Sequence, residues 1–331
     1  MRFLAALVAT GLLWAVAWLG AGVLGWNWLF AVAIPYLALF LFVAGVAARV
    51  IGWGRSPVPF RIPTVCGQQK SLDWIPRDPL DSPFTAAETV GRMALEVLAF
   101  RSLFRGSRAR LTPGKRLVIE SDKWLWAGAI AFHWSLLVVL LRHLRYVTEP
   151  VPALVGWLEA IDGFFQVASP TLFVTDVVLA GALVYLLGRR VFDPRLRYIS
   201  LPTDWFALLL LLSIAGSGIS LRYFTKTDLV AVKQLALGLA TFHPVVPDGI
   251  GAMFYVHLFL VSALLAWFPF SKLVHMAGIF LSPTRNLANN NRARRHVNPW
   301  NPDVEVHTYE QWEDEFRDKL IAAGIEVERE G

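Results

Sequence analysis

Six stretches of this 331-residue chain stay apolar for about 20 residues, near 3–24, 28–50, 124–146, 169–188, 203–221 and 251–275. Each is long enough to cross the roughly 30 Å of a bilayer's hydrocarbon. Hydrocarbon offers no partner to a backbone N–H or C=O, so such runs are predicted to be helices that satisfy their own backbone. The predicted class is therefore all-α and integral to a membrane, with six transmembrane helices. Composition agrees: 56% of residues are apolar and 17% charged, against about a quarter charged in soluble domains. The run at 3–24 is as long as a full span, with a second close behind, and reads as a retained helix rather than a signal peptide.

The net charge of +6 is read as topology, not as a nucleic-acid surface. Lys and Arg number 12 in residues 51–123, four in 189–203 and eight from Lys272 onward, but two in 142–168 and three in 222–250. Excess Lys and Arg marks the cytoplasmic side, so both termini are expected in the cytoplasm of a cell with the chain in its inner membrane. Four regions follow: a transmembrane hairpin over 1–50, a cytoplasmic loop over 51–123, a four-helix bundle over 124–281 and a cytoplasmic tail over 282–331. In the loop, Thr85-Ala-Ala-Glu88 carries a helix-starting signature, and Val90, Met93, Ala94, Val97 and Leu98 recur at helical spacing among Arg92, Glu96 and Arg101. That pattern predicts an amphipathic helix, lying at the membrane interface or docking a soluble subunit. The tail passes through His296-Val-Asn-Pro-Trp-Asn-Pro302, which favours extended chain, to a charged helical stretch over 309–323.

Metal-ligating side chains inside spans are costly and need a reason. His133 and His143 lie ten residues apart on the third span; His257 and His275 lie eighteen apart on the sixth or at its cytoplasmic end. Both spacings keep a pair on one side of a helix. The two spans run antiparallel, which levels His133 with His275 and His143 with His257. Two opposed imidazoles suit the axial ligation of a low-spin haem, a one-electron centre. Zinc would want three or four ligands in one cluster, and these histidines spread over ~15 Å or more of helix. The axial spacings differ, about 15 Å against 27 Å, which tilted helices would have to absorb. Each histidine taken singly also suits a core residue bonded to a neighbouring helix, and Gly128, Gly251, Ala252 and Gly278 suit space beside a macrocycle. His243, His296 and His307 are read as non-ligands. The single Cys66 cannot hold an iron–sulfur cluster, so any such cluster belongs to a partner.

The two histidine spacings, with Phe132-His-Trp-Ser-Leu-Leu-Val-Val-Leu-Leu-Arg-His143-Leu-Arg-Tyr146, Asp204-Trp-Phe-Ala and Ala215-Gly-Ser-Gly218, resemble the gamma subunit of respiratory nitrate reductase and its relatives, in particular the DsrM branch. The likeness spans roughly residues 28–285. It implies two b haems on the four histidines and a quinone site, for menaquinone or ubiquinone, near the outer haem. It also implies a cytoplasmic iron–sulfur partner of the heterodisulfide-reductase kind (DsrK-like), a periplasmic multihaem cytochrome c, a periplasmic iron–sulfur protein and a second membrane subunit, all within sulfur metabolism. The nitrate reductase subunit has five spans; the extra amino-terminal helix and long loop favour the DsrM branch.

Around the outer histidines, Arg142, Arg145, Tyr146, Arg222 and Lys226 are candidates to bind quinone or haem propionates, or else to anchor at lipid headgroups. The expected function is that of a dihaem electron-transfer subunit between the quinone pool and a cytoplasmic iron–sulfur protein. The alternatives are a nitrate-reductase-type gamma subunit and a transporter that uses intramembrane histidines.

Overall fold

A computed structural model describes residues 1–56, 70, 72–112, 114, 116–163, 170–225, 227–291, 293–294 and 306–328. The chain is mostly helical. Among the described residues, five stretches are long and apolar enough to cross a membrane: Arg2–Val23, Leu29–Gly54, Lys123–Val147, Pro202–Tyr223 and Ala252–Phe270. Their helices are α1 (Arg2–Ala17, extended by a wider π turn over Trp18–Val23), α2 (Ile34–Gly54, entered through a π turn over Leu29–Ala33), α5 (Lys123–Val147), α9 (Pro202–Tyr223) and α11 (Ala252–Trp267). Large apolar side chains such as Leu4, Leu12, Phe40 and Leu140 are exposed along them, as the surface of an integral membrane protein requires.

The predicted fourth span corresponds to α7 (Val174–Phe192), which starts five residues later than 169 and carries Asp176 in its first turn and Arg189 and Arg190 in its last. Those charges set it apart from the other five. Between the long helices lie α6 (Ala153–Asp162), α8 (Pro194–Ile199) and α10 (Leu229–Ala240). Helix α5 packs on α7, α7 on α9 and α9 on α11, while α10 lies against α5. The amino-terminal hairpin closes onto this row, α1 against α9 and α2 against α11. Its Ala17, Ala21, Phe30, Ala31 and Val32 share one buried cluster with Leu210, Leu235, Tyr255, Val256 and Leu260. Small residues at that seam let backbones approach, which is how helices associate where lipid is as apolar as the core.

The loop before α5 folds into α3 (Ala86–Ala99), α4 (Arg101–Phe104) and an antiparallel hairpin of β1 (Ser107–Thr112) and β2 (Arg116–Ser121), in which Ser107 faces Ser121. The hairpin adds strand to a chain expected to be wholly helical. Helix α3 begins as its sequence signature requires: the Glu88 N–H donates to Thr85 Oγ1, and the Glu88 carboxylate accepts from the Thr85 N–H, each at 3.3 Å. It ends at Phe100, whose φ of 51° and ψ of 47° are left-handed. The tail carries α13 (Tyr309–Ala322), started by a second capping box between Thr308 and Gln311. Cys66 and His296 lie outside the described residues.

One expectation needs correction. The sixth span was to run helically to residue 275, but α11 ends at Trp267, and two 3₁₀ turns, Phe268–Phe270 and Lys272–Val274, lead to a new short helix, α12 (His275–Gly278). Pro269 lacks an N–H to continue the ladder, and Ser271 is extended at φ −114°, ψ 175°. The five-turn arithmetic between His257 and His275 therefore does not hold, and neither does the axial distance of about 27 Å drawn from it.

Candidate functional site

The break after α11 turns the chain so that His275 meets α5. The His133 and His275 ring centres lie 6.0 Å apart, with planes at 82°; those of His143 and His257 lie 6.5 Å apart, with planes at 19°. A metal–imidazole bond is about 2 Å, so one metal shared by two rings sets their centres roughly 6 Å apart. Both pairs have that separation.

Each imidazole is also held by one nitrogen. His133 Nδ1 is 2.7 Å from the Ala129 carbonyl, His143 Nδ1 is 2.7 Å from the Val139 carbonyl and His275 Nδ1 is 2.8 Å from the Lys272 carbonyl. A carbonyl only accepts, so these three Nδ1 atoms carry the proton and Nε2 keeps its lone pair. His257 Nδ1 lies 2.8 Å from Ser217 Oγ, which is itself 2.9 Å from the Ile214 carbonyl. The serine proton goes to that carbonyl, so His257 also donates through Nδ1. Anchoring Nδ1 to fix the tautomer and aim Nε2 is the usual support of a metal-ligating histidine.

The surroundings leave room for these rings. A Cβ at Gly218 would come within 3.2 Å of His257 Cε1. The other small residues singled out serve other contacts or none: Gly128 admits Tyr185 and Gly278 faces Trp53, while Gly251 has nothing within 4 Å. At the first pair, the Phe100 and Phe132 rings each stand edge-on to His133, with centres 4.9 Å away. Among the described residues no cluster of three or more His, Cys, Asp or Glu could hold a metal ion.

Beyond the second pair, at the Val147 end of α5, lies a charged network. The buried Arg142 guanidinium is 3.2 Å from Asp162 and 2.5 Å from Asp176. Tyr223 donates its hydroxyl proton to Asp176 at 2.8 Å, and the Thr175 N–H donates to Asp162 at 2.8 Å. The Phe173 ring sits 3.8 Å from the Arg142 guanidinium and 3.9 Å from that of Arg222. Nearby, Arg145 pairs with Glu159 at 2.5 Å. Arg145, Glu159, Gly163, Thr171, Phe173 and Arg222 line a cavity of 490 Å³. Of the five quinone or propionate candidates, Arg145 and Arg222 thus reach a cavity, Arg142 is held between two aspartates, and Tyr146 stands edge-on to His143 at 5.9 Å. Lys226 lies outside the described residues.

Residues 94–293 match the nitrate reductase gamma subunit model, a segment that includes all four histidines and the charged network. The chain belongs to that family. It is similar to the Hdr-like menaquinol oxidoreductase cytochrome b-like subunit of Archaeoglobus fulgidus, at 50% identity over 83% of this chain and 84% of the relative. The subunit of the same description from Archaeoglobus profundus is 42% identical over 83% of each chain. The nitrate reductase gamma chain of Bacillus subtilis is 28% identical over 48% of this chain and 74% of its own length.

Three features of this family member escaped sequence reasoning. Ser217 lies in the Ala215-Gly-Ser-Gly218 run, which marked kinship without a role; only the fold shows its hydroxyl bonded to His257. Asp176 carried a readable signal, since an acid within an apolar run is costly unless paired. Phe100, which touches His133 from a loop thirty-odd residues upstream, carried none.

Proposed function

We propose that the chain is the dihaem cytochrome b subunit of a membrane quinol oxidoreductase, holding one b haem between His133 and His275 and a second between His143 and His257. The observation that carries the reading is the pair of imidazole couples, each with Nδ1 engaged and ring centres about 6 Å apart. On this reading α7 also crosses the membrane, bringing the spans to six, and α5, α7, α9 and α11 form the dihaem bundle. Both termini face the cytoplasm, as the Lys and Arg distribution predicts.

Haem held by these residues would supply one-electron transfer. The chain's own residues do the rest. Nδ1 anchors hold the four rings, and Arg142 neutralises the paired aspartates beside the second couple. The cavity at Arg145, Glu159 and Arg222 offers donors and an acceptor to a quinol head group, with protons released at that face. The relatives named as menaquinol oxidoreductase subunits favour menaquinone. A DsrM-type role, exchanging electrons with a cytoplasmic heterodisulfide-reductase-like iron–sulfur subunit in sulfur metabolism, follows from their description as Hdr-like; periplasmic partners belong to the same proposal. A nitrate-reductase-type partner is the second reading, supported by the Bacillus subtilis relative. Copurification of a heterodisulfide-reductase-like rather than a molybdenum subunit separates the two.

The deciding experiment is a pyridine haemochrome assay with protein quantification on the purified chain. Two b haems per chain are expected. One would break a couple, with His275 the first suspect because it stands off the long helices; none in folded protein would overturn the reading and favour a transporter.

A further inference from the structure

Helix α3 is turned inside out. Its Arg92 and Glu96, one turn apart, are buried at 3% and 7% exposure, while Val90 and Leu98 are exposed at 68% and 55%. A helix on a water-facing surface shows the opposite arrangement. The buried charges are met from within the protein. Glu96 accepts from the Ser102 N–H at 3.2 Å and pairs with Arg285 at 3.1 Å, and Arg92 reaches toward the Asp81 carbonyl at 3.5 Å. The outward face forms an apolar groove of 380 Å³ along Val90, Met93, Ala94, Val97, Leu98 and Phe280.

A second, independent observation fixes the depth of this helix. The last carbonyls of a helix have no partner within it. In α3 those of Leu98 and Ala99 accept from the indole N–H groups of Trp134 at 3.1 Å and Trp126 at 2.7 Å. Both tryptophans stand on the membrane-crossing α5, three and eleven residues from its start at Lys123. These positions are roughly 4.5 and 16 Å along its axis. The end of α3 therefore lies alongside the first half of α5, and on a lipid-covered stretch of that helix no water would reach an unpaired carbonyl. Trp134 and Leu137 on α5 are themselves exposed, so the outward face of α3 continues the surface that α5 presents to lipid.

We propose that α3 is a re-entrant element sunk into one leaflet, its groove filled by phospholipid acyl chains and its far end walling the His133–His275 couple from lipid through Phe100. The occupant is lipid rather than a protein partner, because the groove's lining is apolar but for Thr89 and Asn286 and runs onto a lipid-facing span.

The test uses single cysteines at Val90, Ala94 and Leu98 in the full chain with Cys66→Ala, spin-labelled and reconstituted in phosphatidylcholine–phosphatidylglycerol vesicles. Collision with oxygen is compared with collision with a water-soluble nickel chelate. Labels at Leu140 on α5 and Ile321 on α13 serve as lipid and water references. The oxygen-to-nickel ratio at the three sites is expected to match Leu140, stand severalfold above Ile321 and rise from Val90 to Leu98. Ratios like that of Ile321 would overturn the proposal. So would labels that lose access to both reagents only when partner subunits are bound, which would make the groove a protein docking site.

Discussion

His257 donates its Nδ1 proton to Ser217 Oγ at 2.8 Å, and that hydroxyl passes its own proton to the Ile214 carbonyl at 2.9 Å. The other three histidines of the two couples lean on backbone carbonyls that cannot be mutated away. Only this ring depends on a side chain from another helix, so it can be released without touching a proposed ligand. Ser217→Ala should weaken haem retention at the second couple about 10–100-fold, the usual cost of losing such a support, and leave the first couple intact. Haem per chain after extended dialysis, with redox titration of the haem that remains, checks it; unchanged retention and potential would make Ser217 a packing residue.

Arg142 sits between Asp162 and Asp176. Removing one partner of a buried ionic group leaves uncompensated charge, at about 3–5 kcal/mol. Arg142→Met should lower the thermal unfolding midpoint in detergent sharply, and adding Asp162→Asn with Asp176→Asn should recover most of the loss. A triple variant no more stable than Arg142→Met would show that the cluster's charge balance is not what holds that end together.

For the cavity, Arg145→Ala removes one cation and frees Glu159. If Arg145 donates to a quinol oxygen, the KM for quinol should rise about tenfold, since a hydrogen bond to a charged group is worth about 1.5 kcal/mol or more, with haem content unchanged. An unaltered KM would reduce Arg145 to an anchor.

The loop titrates in acid. Hydrogen bonds from Arg77, together with the Phe84 and Thr85 N–H groups, hold Glu88 down to about 2 from its ordinary 4.5. A carboxylate whose folded value is depressed contributes stability above its unfolded value and loses it as pH falls toward the folded one. Amide protection in the first turn of α3 should therefore drop between pH 4.5 and about 2. Glu88→Gln should flatten that dependence; a variant with the same acid profile would place the titration elsewhere.

What the sequence disclosed follows the strength of each physical signal. Spans announce themselves by length, and five of the six predicted runs match helices apolar enough to cross a membrane. The Thr85 cap was readable because it is a local hydrogen-bond pattern, four residues long. The hairpin is not legible although Thr112-Pro-Gly-Lys115 is turn chemistry, because its strands mix charged side chains with exposed Leu117 and Ile119 and show no buried alternation. Antiparallel spans level His133 with His275, but the straight helix to residue 275 that the spacing implies ends at Trp267, before Pro269. The couple forms through a turn that no periodicity encodes. Asp162 and Glu159 were out of reach for a different reason: they come from α6, a helix too short to stand out among the loops.

The packing of the amino-terminal hairpin also sets an order of events in synthesis. Phe30, Ala31 and Val32 are buried against Leu210, Tyr255 and Leu260, which leave the ribosome roughly 180 to 230 residues later. At about 5–20 residues per second, α1 and α2 wait on the order of ten seconds or more in the bilayer with lipid against the faces they will bury. The seam is thus zipped last, by the final span arriving beside the first two, and any factor that shields nascent spans has that interval in which to act.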